Sequence, residues 1–285
     1  MELENKLRVR KNYYGIYEEF PYKENIEDLY IIFRENNLYS IKNYINYYFL
    51  KWVLEKRIKI NYNPNISIHN KRVDFEILNK KIGKIGGFER EFFNIFLELS
   101  KNNNYFNSYG LTKWFKINPK RFQKYIINMK DNSFLKLVES DYIKISKKNK
   151  FIKDKFIYSL TEKGNELTEK VFQYKNYIKK FSKYCISKPD IPVEIDNMIC
   201  YSSIYGISKY FSEEVEKINP DYFNNSSYNL KTLLWLSEFS TGLIKLYESY
   251  SDNEKSLQIL LNYAPKYRVD MRDTRKLIKN DLGKF

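Results

Sequence analysis

The stretch Tyr158-Ser159-Leu160-Thr161-Glu162-Lys163-Gly164 separates a strand-like segment from a long helical pattern. Before it, alternating apolar residues predict two strands, Tyr142–Ile145 and Phe151–Ser159, joined by a basic turn. After it, apolar residues at helical spacing continue to about Lys183. A β-hairpin that ends in Leu-Thr-Glu-Lys-Gly and passes into a helix is typical of winged-helix domains. The stretch therefore predicts a winged helix in the middle of the chain.

The residues before this hairpin read as helices of the same unit. Phe88–Ser100 and residues 110–117 fit two helices. Asn118 and Pro119 then favour a helix start, because Asn is a frequent N-cap and Pro is favoured at the first helical position. The helix that begins at Pro119 is expected to run to about Asn132 and is the candidate recognition helix. Residues 81–160 are therefore predicted to form a strongly basic winged-helix unit.

Residues 26–80 repeat a similar order of elements. A short helix fits Ile26–Glu35, and Ser40 is placed to cap a second helix whose apolar positions continue to Val53. Alternation then predicts strands at Ile58–Tyr62 and Val73–Ile77. These residues predict a first winged-helix-like unit, preceded by a charged N-terminal segment, residues 1–25.

Residues 161–285 are predicted to form a helical C-terminal region. Beyond the helix that opens at Thr161, helices are expected at Ile195–Val215 and Leu230–Tyr250, with a polar loop at residues 224–229 and a charged tail after the last helix. The predicted fold class is mainly α with small β-hairpins (α+β). Its architecture is two tandem winged-helix-like units followed by this helical region.

The positive charge of the chain is concentrated in one segment. The whole chain carries a formal charge of +15, and residues 101–160 contain 14 Lys or Arg against 4 Asp or Glu. A clustered basic surface is expected to bind a polyanion, either nucleic acid or an anionic membrane surface. The alternative is a solvated lysine-rich surface, since the abundance of Lys, Ile, Asn and Tyr is typical of AT-rich coding. The candidate polyanion-binding residues are Lys120, Arg121, Lys124, Lys147, Lys148 and Lys150.

The sequence offers few residues for catalysis or metal binding. The single histidine, His69, lies in an Asn-rich turn and reads as an exposed hairpin residue. Cys185 and Cys200 form no C-x-x-C pair, so we expect unpaired thiols, no metal site and no cofactor. Gly83-Lys84-Ile85-Gly86-Gly87 lacks the length and the Lys-Ser/Thr end of a phosphate-binding loop and reads as a joint. We expect that the protein is not an enzyme. The longest uncharged apolar run, residues 197–208, is too short to span a bilayer.

Aromatic residues alternate with basic ones between residues 105 and 125, which suits either stacking on nucleobases or a helical core. The spacing of Phe115, Phe122 and Ile126 favours the core. The aromatic residues concerned are Tyr105, Phe106, Tyr109, Trp114, Phe115, Phe122 and Tyr125.

The second half of the chain contains the motifs Thr161-Glu162-Lys163-Gly164, Tyr174-Lys175, Tyr177-Ile178 and Phe181-Ser182, followed by Pro192, Tyr201 and Gly206. In this combination the motifs resemble the cytosolic C-terminal region of the YciQ-like predicted membrane proteins. With the helix–turn–strand pattern Ile45–Ile60, the resemblance covers about residues 26–218. The family's secretory signal, extracellular β-domain, membrane spans and glycine-rich end have no counterpart here. The resemblance implies a soluble relative or the cytosolic part of a longer membrane protein, and the family has no established biochemical activity.

Two functions are compatible with these observations. The resemblance favours a non-enzymatic cytosolic interaction module with an unidentified protein partner, located in the cytoplasm and peripheral to the inner face of the membrane. The alternative is a winged-helix DNA-binding protein, a transcriptional regulator, that inserts the basic helix from Pro119 into the major groove. In that case Lys147 to Lys150 on the wing would contact flanking phosphates.

Overall fold

A computed structural model describes residues 3–6, 13–38, 40–62, 73–81, 87–101, 103–148, 155–185, 195–225 and 230–250. Within these ranges the helices are α1 (Tyr30–Glu35), α2 (Ile41–Leu54), α3 (Gly87–Ser100), α4 (Ser108–Ile117), α5 (Pro119–Glu139), α6 (Glu162–Lys179), α7 (Phe181–Cys185), α8 (Ile195–Ile204), α9 (Ser208–Ile218), α10 (Tyr222–Asn225) and α11 (Leu230–Tyr250). A 3₁₀ turn, Ile26–Leu29, leads into α1. The strands are β1 (Leu3–Lys6), β2 (Ile58–Tyr62), β3 (Val73–Ile77), β4 (Tyr105–Asn107), β5 (Ile143–Lys148) and β6 (Lys155–Leu160).

The strands form two small sheets. The first has the order β2-β3-β4 and is antiparallel, with Phe75 of β3 opposite Phe106 of β4. The second has the order β1-β6-β5, in which β5 and β6 pair antiparallel and β1 pairs parallel to β6. Both predicted hairpins are confirmed. The protein is mainly helical with two small sheets, and the predicted α+β class is therefore confirmed.

The stretch after β6 behaves as its residue types predict. The Thr161 hydroxyl accepts a hydrogen bond from the Gly164 amide at 3.0 Å, which caps the N-terminus of α6. Gly164 lies directly against the carbonyl oxygen of Tyr142, and a Cβ at this position would stand 2.0 Å from that oxygen. Glycine is therefore required for the close approach of α6 to the beginning of the hairpin.

Helix α5 is longer than the sequence pattern predicted, since it ends at Glu139 and not near Asn132. Its additional turns are held by tertiary contacts. The Ser133 hydroxyl donates to the Asp28 carbonyl at 2.7 Å and accepts from the Ile31 amide at 3.1 Å. Phe134 is buried against Tyr158 of β6, with ring centroids 5.0 Å apart. The predicted end was wrong because the run Lys130–Ser133 is polar in sequence, although Lys130 and Ser133 are buried in the helix.

The single helix expected over Ile195–Val215 is also wrong, because the chain turns between α8 and α9. Gly206 adopts a positive φ of 69°, which ends α8. The Gly206 amide donates to the Ser203 carbonyl at 2.9 Å, and the Ile207 amide donates to the Ser202 carbonyl at 3.0 Å. The helix expected to continue to about Lys183 is also interrupted, because α6 ends at Lys179 and α7 begins at Phe181.

The buried hydrophobic side chains form one continuous cluster that extends from Tyr22 to Tyr247. Its largest fully buried member is Trp52 of α2. The Trp52 ring contacts Phe92, Phe93 and Phe96 of α3 at centroid distances of 5.3, 4.9 and 5.1 Å. Residues from the predicted first unit thus pack directly on residues from the second. The division at residues 80 and 160 stays a prediction.

Candidate functional site

The first half of α5 presents three of the candidate polyanion-binding residues. The helix begins at Pro119, and Lys120, Arg121 and Lys124 all lie exposed on its first turns. Asn118 occupies the N-cap position, as predicted, but its side chain does not cap the helix. Its amide nitrogen donates instead to the Trp114 carbonyl at 3.1 Å, which joins the end of α4 to the start of α5.

Arg121 is exposed but pairs with another side chain of the protein. Its guanidinium forms a bidentate pair with the Glu98 carboxylate, with Nη1 to Oε2 at 3.0 Å and a second contact from Nη2 to Oε1. The guanidinium also lies over the Trp114 ring, 5.5 Å from its centroid, while the Trp114 indole donates to Glu98 at 3.2 Å. The hydrogen bond from Arg121 lowers the pKa of the Glu98 carboxyl from its ordinary value. The charge of Arg121 is therefore balanced locally.

Lys120 and Lys124 differ from Arg121. Neither lysine forms an ion pair with any residue that the structure describes, and both are exposed. Helix α4, which ends two residues before α5 begins, also has exposed residues. The exposed residues on that helix are Tyr109, Lys113, Lys116 and Ile117. We call these four residues, together with Lys120 and Lys124, the α4–α5 face.

The α4–α5 face contains two large apolar groups. The exposed fractions of Tyr109 and Ile117 are 71% and 65%. Five of the seven aromatic residues singled out between residues 105 and 125 are buried, as the core interpretation predicted, and Tyr105 and Tyr109 are not. The sequence pattern therefore identified the core correctly but did not separate it from the exposed aromatic residues.

The three lysines predicted on the wing are placed only in part. Lys147 and Lys148 belong to β5, where they pair in register with Phe156 and Lys155, while their side chains lie outside the described residues. Lys150 lies outside the described residues altogether. In the described part of the hairpin, Lys144 is exposed.

Two buried carboxylates form a network that the sequence pattern did not indicate. Glu27 accepts hydrogen bonds from the Phe88 amide at 2.9 Å, the Glu89 amide at 2.6 Å and the Tyr48 hydroxyl at 2.7 Å. Glu89 accepts from the Trp52 indole at 2.9 Å and from Lys51 at 2.8 Å. Burial raises the pKa of Glu27, although these three hydrogen bonds oppose the shift.

This network occupies the N-terminus of α3, directly after the glycine-rich joint. The Glu27 carboxylate satisfies the first amides of the helix, where a phosphate-binding loop would hold its ligand. The residues 82–86 of the joint lie outside the described residues. The arrangement fits a structural cap better than a catalytic carboxylate pair, because both glutamates are buried, with exposed fractions of 5% and 2%.

The described part of the chain contains no group of three or more His, Cys, Asp and Glu side chains that could hold a metal ion. His69 lies outside the described residues, as does the side chain of Cys185. Cys200 is buried in α8, and burial raises the pKa of its thiol, which makes the reactive thiolate unfavourable. Among the described helices, none has the length and apolarity that crossing a bilayer requires.

Two features of the structure, an ion pair and a buried amide side chain, had weak or no signals in the sequence. The pairing of Arg121 with Glu98 joins residues 23 positions apart on different helices, and no local pattern indicates it. Asn46 is buried within an otherwise apolar and aromatic run of α2, which is an unusual place for an amide side chain. That interruption of the apolar run is a usable signal.

Comparison with known proteins adds no relative on which a function could be based. No family model matches the chain, and neither a curated protein nor a solved structure matches it.

Proposed function

We propose that the protein is a non-enzymatic interaction module and that its α4–α5 face binds an acidic surface of a protein partner. The observation that carries this proposal is that two exposed lysines of α5, Lys120 and Lys124, follow directly on α4, which exposes two large apolar side chains. Lys120 and Lys124 have no ion-pair partner among the described residues, whereas the adjacent Arg121 is neutralised by Glu98. The unpaired charges are thus available to a partner.

The apolar members of the face favour a protein over a nucleic acid. Protein interfaces are enriched in tyrosine and have an apolar centre surrounded by polar residues. Tyr109 and Ile117 meet this description, since both are more than half exposed and lie one to two turns from lysines of the same helix. A phosphate backbone offers no partner for the Ile117 side chain.

The order of elements supports a winged-helix arrangement for residues 87–160. Helix α3, strand β4, helices α4 and α5, and the hairpin β5–β6 follow one another as in a winged helix, with α5 as the recognition helix. The third strand of the hairpin's sheet is β1, while β4 pairs with β3 of the preceding hairpin. In this proposal the second unit gives its strand β4 to the sheet of the first unit, and the N-terminal segment supplies a third strand to the sheet of the second. Such folds serve as protein adaptors as well as DNA-binding domains.

The resemblance to YciQ-like proteins supports a cytosolic location beside the inner face of a membrane. Lysines near an anionic leaflet contribute about 1 kcal/mol each to membrane attraction. Co-sedimentation of the full chain with vesicles that contain anionic lipid, compared with neutral vesicles, tests this part of the proposal. Equal sedimentation with both would contradict it.

Affinity capture from cells that produce the tagged chain tests the proposed surface. We expect a partner with an acidic surface that is retained by the wild-type chain and lost by Tyr109→Glu/Ile117→Glu. The matched control is Tyr210→Glu on α9, because Tyr210 is also exposed, at 45%, but lies outside the face. If the double variant and the control retain the same proteins, the α4–α5 face is not the interaction surface.

Binding to duplex DNA is the second candidate, because Lys120 and Lys124 lie at the start of a helix that a basic hairpin follows. Fluorescence anisotropy of a labelled duplex of about 30 base pairs, at about 50 and 200 mM salt with anionic vesicles as competitor, tests it. Affinity that persists at the higher salt and is lost in Lys120→Ala/Lys124→Ala would establish DNA binding. The variant Tyr109→Ala/Ile117→Ala separates the two candidates, since it removes apolar contacts from a protein interface but changes no charge that a phosphate would meet.

A further inference from the structure

Residues 13–22 form a segment without helix or strand that lies across α6 and reaches α8. We call this segment the strap. It contains five aromatic residues and two glutamates, and it has no lysine or arginine. Its contacts on α6 and α8 lie outside the α4–α5 face.

The Phe20 side chain of the strap packs where α6 meets α8. Its ring stacks on the Tyr201 ring of α8, with the centroids 3.9 Å apart and the planes at 3°. Its ring also makes an edge-to-face contact with Tyr174 of α6 at 5.4 Å, and Tyr174 meets Tyr201 at 6.2 Å. Stacked and edge-to-face pairs are the favourable geometries for aromatic rings. The two tyrosines therefore form a site that suits an aromatic side chain.

A side chain of α6 holds the backbone of the strap. The Asn176 amide donates to the Tyr13 carbonyl at 3.0 Å and to the Gly15 carbonyl at 3.3 Å. Because every segment has backbone carbonyls, these hydrogen bonds do not depend on the sequence of the strap. In peptide recognition, hydrogen bonds to the main chain supply affinity and side-chain pockets supply specificity. Asn176 and the Tyr174–Tyr201 site divide these roles in the same way.

The remaining contacts of the strap with α6 are also made by aromatic rings. The Tyr13 ring lies 5.6 Å from the Phe172 ring, and the Lys170 ammonium lies 5.4 Å from the centroid of the Tyr17 ring. The rings that hold the strap on α6 are only partly buried, namely those of Tyr13, Tyr17 and Phe20. Phenylalanine is among the residue types most often fully buried, so the partial exposure of Phe20 distinguishes the strap from the core segments.

Both segments that flank the strap are attached to the protein independently of it. Strand β1 precedes the strap in the chain and pairs with β6. At the other end Tyr22 is buried, and its hydroxyl donates to the Asp28 carboxylate at 3.0 Å. The strap can therefore leave α6 while its two ends stay in place.

From these contacts we propose that the strap is an intramolecular pseudo-ligand, and that the surface beneath it binds an extended segment of a partner protein. An aromatic ring of the partner takes the place of Phe20 between Tyr174 and Tyr201, and carbonyls of the partner accept from Asn176. The strap covers this surface in the free protein, because a segment of the same chain has an effective concentration on the order of millimolar. This second interface does not depend on the α4–α5 face.

Fluorescence anisotropy of a labelled peptide with the sequence of residues 13–22, titrated with the full chain, tests the proposal. We expect weak binding by the wild-type chain, because its own strap competes with the peptide. Phe20→Ala in the chain weakens the strap and leaves the surface beneath it intact, so this variant should bind the peptide at least about tenfold more tightly. Addition of Asn176→Ala to the same variant should reverse the gain, since it removes the donor to both carbonyls.

Tyr14→Ala is the matched control, because Tyr14 belongs to the strap but is 86% exposed. A peptide with Tyr14→Ala should bind the Phe20→Ala chain as the unaltered peptide does, and a peptide with Phe20→Ala should bind at least about tenfold more weakly. The chain variant Tyr13→Ala/Tyr17→Ala releases the strap through its other two rings and replaces Phe20→Ala if that variant does not fold.

No saturable binding of the peptide by either opened chain would overturn the proposal, as would equal binding of the two altered peptides. Light scattering of the wild-type chain identifies a different occupant. Dimers that are lost in Phe20→Ala and retained in Tyr14→Ala would show that the strap of a second copy fills the surface, which would overturn the assignment to a separate partner.

Discussion

The two halves of α5 carry similar polar side chains in opposite environments. In the first half, Lys120 and Lys124 are exposed and have no ion-pair partner among the described residues. In the second half, Lys130 is only 5% exposed, and Ser133 and Phe134 are buried against the 3₁₀ turn and β6. The number of charged residues in a helix therefore does not show which of them are accessible to a partner. One half has lysines available for a partner, and the other half uses its polar residues to hold the fold together.

The largest expected effect is the loss of a buried aromatic ring from the second half. Phe134→Ala should lower the free energy of unfolding by about 3–5 kcal/mol, because it leaves a cavity beside Tyr158. The matched control is Leu135→Ala, since Leu135 is the next residue and is 41% exposed. Urea unfolding measures both changes. Equal losses for the two variants would show that the second half of α5 is not buried as described.

Ser133→Ala should have the next largest effect. It removes the hydroxyl that accepts from the Ile31 amide and donates to the Asp28 carbonyl, which leaves both backbone groups without this partner. We expect a loss of about 1–3 kcal/mol in the free energy of unfolding. Asn132→Ala, at the exposed preceding position, is the control and should change stability by less than about 0.5 kcal/mol. A neutral Ser133→Ala would mean that the hydroxyl does not anchor α5 to the 3₁₀ turn.

Lys130 should make stability depend on pH in the alkaline range. Burial, with a smaller contribution from Arg34, lowers the pKa of Lys130 to about 8, below its ordinary value of 10.5. Between these two values the unfolded chain binds more protons than the folded one, so the free energy of unfolding should rise with pH from about 8 to about 10 relative to Lys130→Met. The slope is bounded by about 1.4 kcal/mol per pH unit for one proton. Parallel pH profiles for wild type and Lys130→Met, measured by urea unfolding, would refute the buried environment of this lysine.

The smallest effect on stability is expected in the first half of the helix. Lys120→Ala/Lys124→Ala should change the free energy of unfolding by less than about 0.5 kcal/mol, because neither side chain has an ion pair to lose within the described structure. If these lysines contact phosphates of a bound duplex, the slope of log affinity against log salt should become shallower by about 2. Lys179→Ala/Lys180→Ala, at the exposed end of α6, is the charge-matched control. Equal slopes for both double variants would remove the first half of α5 from any polyanion-binding site.

Local signals predicted much of the fold. The two hairpins, the start of α5 at Pro119 and the start of α6 after Thr161 lie where the sequence places them, since each depends on residues close together in the chain. Element ends were predicted less well. The extension of α5 to Glu139 depends on contacts with Asp28 and Ile31, which are more than 100 residues away along the chain. The break between α8 and α9 depends on the positive φ of Gly206, which the apolar pattern on both sides of it does not indicate.

The candidate sites show the same division. The sequence placed Lys120, Arg121 and Lys124 at the start of a helix, but the neutralisation of Arg121 required Glu98 from α3. The surface beneath the strap could not be predicted, because it is assembled from α6 and α8. The same holds for a polar cavity between α2, the α8–α9 turn and α11, since no segment of sequence contains more than part of its lining.

By itself, the sequence determined the class of the fold, the position of the hairpin before Thr161 and the concentration of positive charge in residues 101–160. These properties follow from periodicity, capping and composition, which act over short distances along the chain. Only the tertiary structure decided which third strand joins each hairpin, which of the basic residues have an ion-pair partner and where a polar cavity forms. Those properties depend on contacts between distant segments, and the free energy of such contacts is set by burial and geometry that no single segment encodes.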